Sequence, residues 1–218
     1  MKKTSESCEY LKIKFSPTSL PIQQRWRNNG LSADFLADYL STFFPGDDSD
    51  SIEHQAEIKS AISYIANELL ENAMKFSYAS PKYAISIDMY LEVDSISLYV
   101  TNSIASREAA AFQDFVRRLL SEDIDKLYME QLTRHAEADS TADSGLGYIT
   151  MLHDYNASLA WKFESLAKDA EGHDRYHHGL PVGMSLGGGH AVGITVRMGL
   201  WKSPMKSMSF ATIRTLPR

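Results

Sequence analysis

The segment Asn67-Glu68-Leu69-Leu70-Glu71-Asn72-Ala73-Met74-Lys75-Phe76-Ser77 closes a run of helical periodicity that begins near residue 53. Ile58, Ile62, Ile65, Leu69, Ala73 and Phe76 recur along that run at steps of three and four residues. Helical residues turn by about 100° each, so these side chains share one apolar stripe, and the spacing predicts an amphipathic helix over 53–77. On the same wheel Glu68, Asn72 and Lys75 occupy one flank, within about 60° of each other. Asn72 falls at the margin of the stripe, where a carboxamide needs partners. Such a flank suits nucleotide and metal chemistry. A carboxamide oxygen can ligate Mg²⁺, a carboxylate one turn away can act on a water or hydroxyl, and a lysine can face phosphate. On spacing alone, an ordinary solvated helix face with Glu-to-Lys pairs is the commoner explanation.

Toward the C-terminus, Tyr83, Ile85, Ile87, Met89 and Leu91 alternate with more polar residues, as do Ile96, Leu98 and Val100 beyond a turn near Val93 and Asp94. The alternation predicts an antiparallel hairpin. Helical character returns from Arg107 to about Ala136, as two helices meeting near Ser121. A polar stretch, Glu137 to Ser144, then leads into Gly145-Leu146-Gly147 and a short helix reaching about Tyr155. Leu159, Trp161 and Phe163 read as one strand; Ile194, Val196, Met198 and Leu200 as another; residues 207–214 as a last one. Toward the N-terminus, Leu11 to Phe15 reads as a half-buried strand. Residues 31–44, opened by Ser32 and ended by Pro45 and Gly46, read as an amphipathic helix, and Asp47 to Ser51 as a solvated linker. Helices and antiparallel strands in this mixed order predict an α/β fold of the α+β two-layer sandwich type rather than a doubly wound parallel sheet.

Composition narrows the function classes. At 218 residues the chain suits one domain and can bury about 70% of the surface exposed when unfolded, without staples. One cysteine, Cys8, excludes an intramolecular disulfide. There is no basic segment leading into an apolar one and no apolar run near the length of a membrane span, so a cytoplasmic protein is expected. A net charge of -6 argues against nonspecific nucleic-acid binding but leaves room for a nucleotide. Of 12 glycines, all but Gly30 and Gly46 lie at or beyond residue 145, which places the loops with demanding backbone geometry late in the chain.

The segment 67–77 resembles the N box of the GHKL ATPases, the superfamily of histidine kinases, anti-sigma-factor kinases, and gyrase-type and Hsp90-type ATPases. In that motif a glutamate is followed four residues later by asparagine, then alanine, an apolar residue and a basic one. The resemblance gives Glu68 the role of catalytic or water-orienting glutamate, Asn72 that of Mg²⁺ ligand and Lys75 that of phosphate-facing cation. Ser144-Gly145-Leu146-Gly147-Tyr148-Ile149 resembles the G2 box that follows the lid, where Gly145, Leu146 and Gly147 would bring backbone N–H groups to phosphate. The counterpart of the G1 box is Asn102-Ser103-Ile104-Ala105-Ser106. Here Asn102 replaces the adenine-reading aspartate, and Ile104 and Ser106 stand where the family has glycines.

The resemblance covers about residues 55–165. It implies a Bergerat-type sheet, mixed but mainly antiparallel, with helices on one face, in a single domain spanning 1–218. Residues 165–218 would supply a loop and two added strands. The layout is closest to stand-alone anti-sigma-factor and partner-switching kinases of bacterial signal transduction. That likeness implies an ATP- and Mg-dependent serine/threonine kinase acting on a small antagonist protein, with a homodimer left open. The altered residues 102–106 favour the other class, a catalytically silent interaction module on the same fold.

Competing sites are weaker. His173, Asp174, His177 and His178 could bind a transition metal, but their polar loop setting reads more simply as solvated. Gly187-Gly188-Gly189 lacks the Lys-Ser/Thr of a P-loop. Cys8 has no catalytic histidine nearby, and Tyr99 and Trp161 sit in strand patterns that serve packing.

Overall fold

The structure, a computed structural model, describes residues 9–15, 22–44, 46, 48–77, 84–92, 95–104, 106–137, 145–165 and 190–199. The elements run β1 (Glu9–Phe15), α1 (Ile22–Ser41), α2 (Ser49–Lys75), β2 (Ile85–Leu91), β3 (Ser95–Ile104), α3 (Ser106–Ser121), α4 (Ile124–Glu137), α5 (Leu146–His153), β4 (Ser158–Ser165) and β5 (His190–Gly199). The sheet has five strands in the order β1-β2-β3-β5-β4. Every pairing in it is antiparallel. The α/β two-layer expectation therefore holds, with no parallel pair among the described residues.

The core lies between the sheet and α2. Ile62, Ile65, Leu69 and Leu70 of α2 have no exposed surface, and Ile85, Ile87, Ile96, Leu98 and Val100 meet them from alternate positions of β2 and β3. Replacing one of these α2 side chains by alanine should cost about 2–5 kcal/mol. The hairpin register, with Ile87 opposite Val100 and Met89 opposite Leu98, puts every inward apolar residue on one face. β5 stands inside the sheet between β3 and β4, so the late strand completes the sheet rather than extending its edge.

Two N-terminal readings are corrected. α1 starts at Ile22, well before Ser32, and Ser32 does not cap it: its hydroxyl donates to the Asn28 carbonyl at 2.7 Å, a bond made within a continuing helix. Residues 48–51 of the acidic stretch are not a linker. Asp48 is extended (φ -136°, ψ 172°) and its carboxylate accepts from the Ser51 backbone N–H at 2.8 Å, making it the N-cap of α2. The Ser51 hydroxyl, together with that backbone bond, holds the Asp48 carboxyl below its usual range. Short acidic runs serve equally as linkers and as caps, and the difference lies in the backbone angle of one residue.

The paired helices over 107–136 and the short helix after Gly145 match α3, α4 and α5. No helix among the described residues is long and apolar enough to cross a membrane. Cys8, the histidine group at 173–178, Gly187–Gly189 and the strand expected over 207–214 lie outside the described residues.

Candidate functional site

The C-terminal turn of α2, the end of β3, one side of α3 along most of its length, the start of α5 and the body of α4 line a cavity of about 650 Å³. That is within the common range for small-molecule pockets, roughly 300–1,000 Å³. Asn72 and Lys75 reach it from α2, Asn102 from β3 and Gly145 from the loop before α5. Residues up to 73 positions apart in sequence, counting from Asn72 to Gly145, thus meet at one surface.

Asn72 is half-buried, one turn from the end of α2, and its side-chain amide has no hydrogen-bond partner among the described residues. Lys75 is exposed at the last helical position, with Nζ 5.6 Å from the Phe76 ring centroid. Asn102 is only 5% exposed, and its Nδ2 donates to the Ala73 carbonyl at 3.3 Å. That bond ties the end of β3 to α2 and uses the donor side of the amide, leaving Oδ1 as the acceptor it can offer a ligand. Ile104 is buried and lines the cavity, and the chain passes from β3 to α3 within two residues. No glycine loop intervenes there.

Gly145 is the N-cap of α5 in the left-handed region (φ 61°), and no side chain caps the helix. The Phe115 ring stands 2.8 Å from where a Cβ on Gly145 would be, so both conformation and space demand glycine. Leu146 opens α5 and is half-buried.

Glu68 and Gly147 do not line the cavity. They meet one another instead: a Cβ on Gly147 would lie 3.1 Å from the Glu68 carboxylate carbon and closer still to Oε2. Burial pushes the Glu68 carboxyl up, and the nearby Glu71 adds to the effect. One turn earlier, Tyr64 hydrogen-bonds with Thr150 of α5 and stacks on Tyr155 with ring centroids 5.1 Å apart. Glu68 is therefore half-buried in the seam between α2 and α5, beside the cavity and one turn from Asn72.

The rest of the wall was not singled out from sequence. Phe112 and Phe115 of α3 stack at 6.2 Å, and Tyr148 of α5 lies 6.0 Å from Phe115 and 6.0 Å from Trp161. The Phe112, Phe115 and Tyr148 rings line the cavity and give it an aromatic side. Arg118 of α3 and Arg134 of α4 add cations to Lys75, against one lining carboxylate, Glu108. In a chain of net charge -6 this local excess of cations favours an anionic ligand. The helical character of 107–136 was visible in sequence, but which surface these helices cover was not. Tyr99 packs its ring against Tyr90 at 5.3 Å on the other face of the sheet, away from the cavity. No group of three or more His, Cys, Asp or Glu side chains that could hold a metal ion occurs among the described residues.

No protein-family model matches the sequence, and no curated protein matches it. Among solved structures, a chain in the crystal structure of the SiaB-SiaC complex from Pseudomonas aeruginosa is similar in fold, with a TM-score of 0.50 and 13% sequence identity. The match covers 87% of this chain and 89% of that one. At this identity the likeness concerns the fold.

Proposed function

We propose that this chain is a regulatory nucleotide-binding protein of the stand-alone GHKL type, taking ATP with Mg²⁺ in the cavity and transferring phosphate to a serine or threonine of a small antagonist protein. The observation that carries the reading is the convergence of Asn72, Lys75, Asn102 and Gly145 on one cavity of nucleotide size. The base would lie against the aromatic side, with the Asn102 acceptor toward an exocyclic amino group. The phosphates would lie toward Lys75 and the first turn of α5, where N–H groups lack intrahelical partners.

Magnesium fits the donors present in a limited way. Asn72 offers one neutral oxygen, and no acidic cluster stands beside it among the described residues, so the ion would be held by Asn72 together with phosphate oxygens and water, as this ion usually is. Bound there, it would neutralise charge on the transferred group. The part left to Glu68 is to orient or deprotonate the incoming hydroxyl, for which a raised carboxyl pKa is suited. A protein partner is in keeping with the similar solved chain, which comes from a complex of SiaB with SiaC.

One observation favours a second reading, a binding module without turnover: Glu68 is packed under Gly147 rather than exposed in the cavity. Thermal melting with millimolar ATP and Mg²⁺ tests the binding claim. Ligand at 100 times its dissociation constant adds about 2.7 kcal/mol, a readily measured shift. Absence of any shift would refute nucleotide binding. Binding without phosphate transfer to any co-expressed partner would select the silent module. If ATP binds, Asn72→Ala should lose the Mg²⁺ dependence of binding.

A further inference from the structure

We propose that Arg118 and Arg134, from α3 and α4, form a polyphosphate subsite in the wall of the cavity that Lys75 also lines, and that Glu130 occupies Arg118 until such an anion displaces it. The identity of the ligand as a nucleotide rests on the preceding reading; the subsite itself rests on these side chains. Arg118 and Arg134 both line the cavity, although they lie on different helices. Arg118 is half-buried and held along one edge. Its Nε donates to Glu122 Oε1 at 2.6 Å, and its Nη2 donates to Glu122 Oε2 at 3.2 Å and to Glu130 Oε2 at 2.7 Å. These bonds use Nε and Nη2, while a guanidinium has five N–H donors, so the Nη1 pair remains for a further acceptor.

Arg134 stands one turn beyond Glu130 on α4 and makes no ion pair among the described residues. It is near enough to Glu122 to help hold that carboxyl below its usual range, after the larger effect of Arg118. The cluster Arg118, Arg134, Lys126, Glu122 and Glu130 thus carries three cations against two carboxylates. A simple brace between α3 and α4 needs only the Arg118 pairs. It does not account for a second arginine directed to the same cavity wall.

Release of Glu130 has a ready acceptor. Lys126 Nζ lies 3.8 Å from Glu130 Oε1, so the carboxylate can pair there when phosphate takes its place on Arg118. Glu130 holds Arg118 through one Nη2–H bond, whereas phosphate can engage Nη1 and Nη2 together and carries more negative charge. Occupancy of the cavity would thereby change the contacts that set the α3–α4 corner.

Calorimetric titration of the full chain with inorganic tripolyphosphate, ATP and adenosine separates the possibilities. Wild-type protein should bind tripolyphosphate. Arg118→Ala and Arg134→Gln should each weaken tripolyphosphate and ATP by roughly tenfold or more, and Glu130→Gln should tighten both. Adenosine affinity should stay the same in all three variants. Arg134→Gln removes no ion pair among the described residues, so it reports on binding even if Arg118→Ala fails to fold. Wild-type affinity for tripolyphosphate in Arg134→Gln, or no tripolyphosphate binding by wild type, overturns the subsite. Arginine-dependent tripolyphosphate binding without adenosine or ATP selectivity would leave the subsite standing and refute the nucleotide reading.

Discussion

The carboxylate of Glu68 fills the space that a side chain on Gly147 would need, so it keeps its place in the seam between α5 and α2 only because residue 147 has no Cβ. The contact links the helix carrying Asn72 to the loop carrying Gly145. Gly147→Ala should therefore act on Glu68 more than on the fold. Alanine raises helix propensity by about 1 kcal/mol, while the atom displaced is the far end of a flexible chain. Stability should change by no more than about 1 kcal/mol in either direction. The Glu68 carboxyl, driven toward water, should titrate nearer the ordinary glutamate range in a ¹³C NMR titration. An unchanged Glu68 titration in a folded variant would contradict the contact.

The same carboxylate sets a pH dependence. Burial raises its pKa in the folded state above the unfolded value, with Glu71 adding to the shift. The folded protein then binds a proton more readily than the unfolded chain. Stability from this group is complete below the unfolded pKa and is lost as pH rises through the folded one. Glu68→Gln, which stays neutral, should match wild type in acid and become the more stable protein as pH rises past the glutamate range. Urea midpoints at a series of pH values measure the difference. A gap that does not widen with pH would show that Glu68 is not ionising in a buried seam.

Much of this arrangement was legible from residue order. The stripe Ile58–Phe76 pointed to α2 because a long amphipathic period admits few other structures, and the alternation over 85–100 pointed to the hairpin. Asn72, Lys75, Asn102 and Gly145 could be named because the segments that hold them resemble, in order, the motifs of a known family. Arg118, Arg134, Phe112 and Phe115 could not, since an arginine or phenylalanine on an amphipathic helix looks the same whether it covers a core or a cavity. The placing of Glu68 outside the cavity was equally invisible, because it depends on how tightly α5 seats against α2. The position of β5 between β3 and β4 is a long-range pairing that no local pattern encodes.

Asn102 offers a test in which the more acidic residue should be the worse one. Its Nδ2 donates to the Ala73 carbonyl at 3.3 Å in a site 5% exposed. Asn102→Asp removes that donor and sets a carboxylate against a carbonyl oxygen. Leaving a buried acceptor unpaired costs about 1–3 kcal/mol, more when charge is involved. Urea unfolding should show that loss at neutral pH and a smaller one in acid, where the protonated carboxyl can donate again. Equal stability of Asn102→Asp and wild type at neutral pH would mean that the bond to Ala73 contributes nothing.

Gly145 and Phe115 allow backbone strain and steric contact to be separated. A side chain at φ 61° costs about 1–2 kcal/mol, and here it would also press on the Phe115 ring at 2.8 Å. Gly145→Ala should therefore destabilise by more than the backbone cost alone. Phe115→Ala opens the space but removes a half-buried ring stacked on Phe112, so it too destabilises. In the double variant the steric part disappears while the backbone part remains. The cycle should show the double variant more stable than the sum of the single losses by roughly 1 kcal/mol. Strict additivity would place the whole effect of residue 145 in its backbone, and Phe115 would then be free to move away from the start of α5.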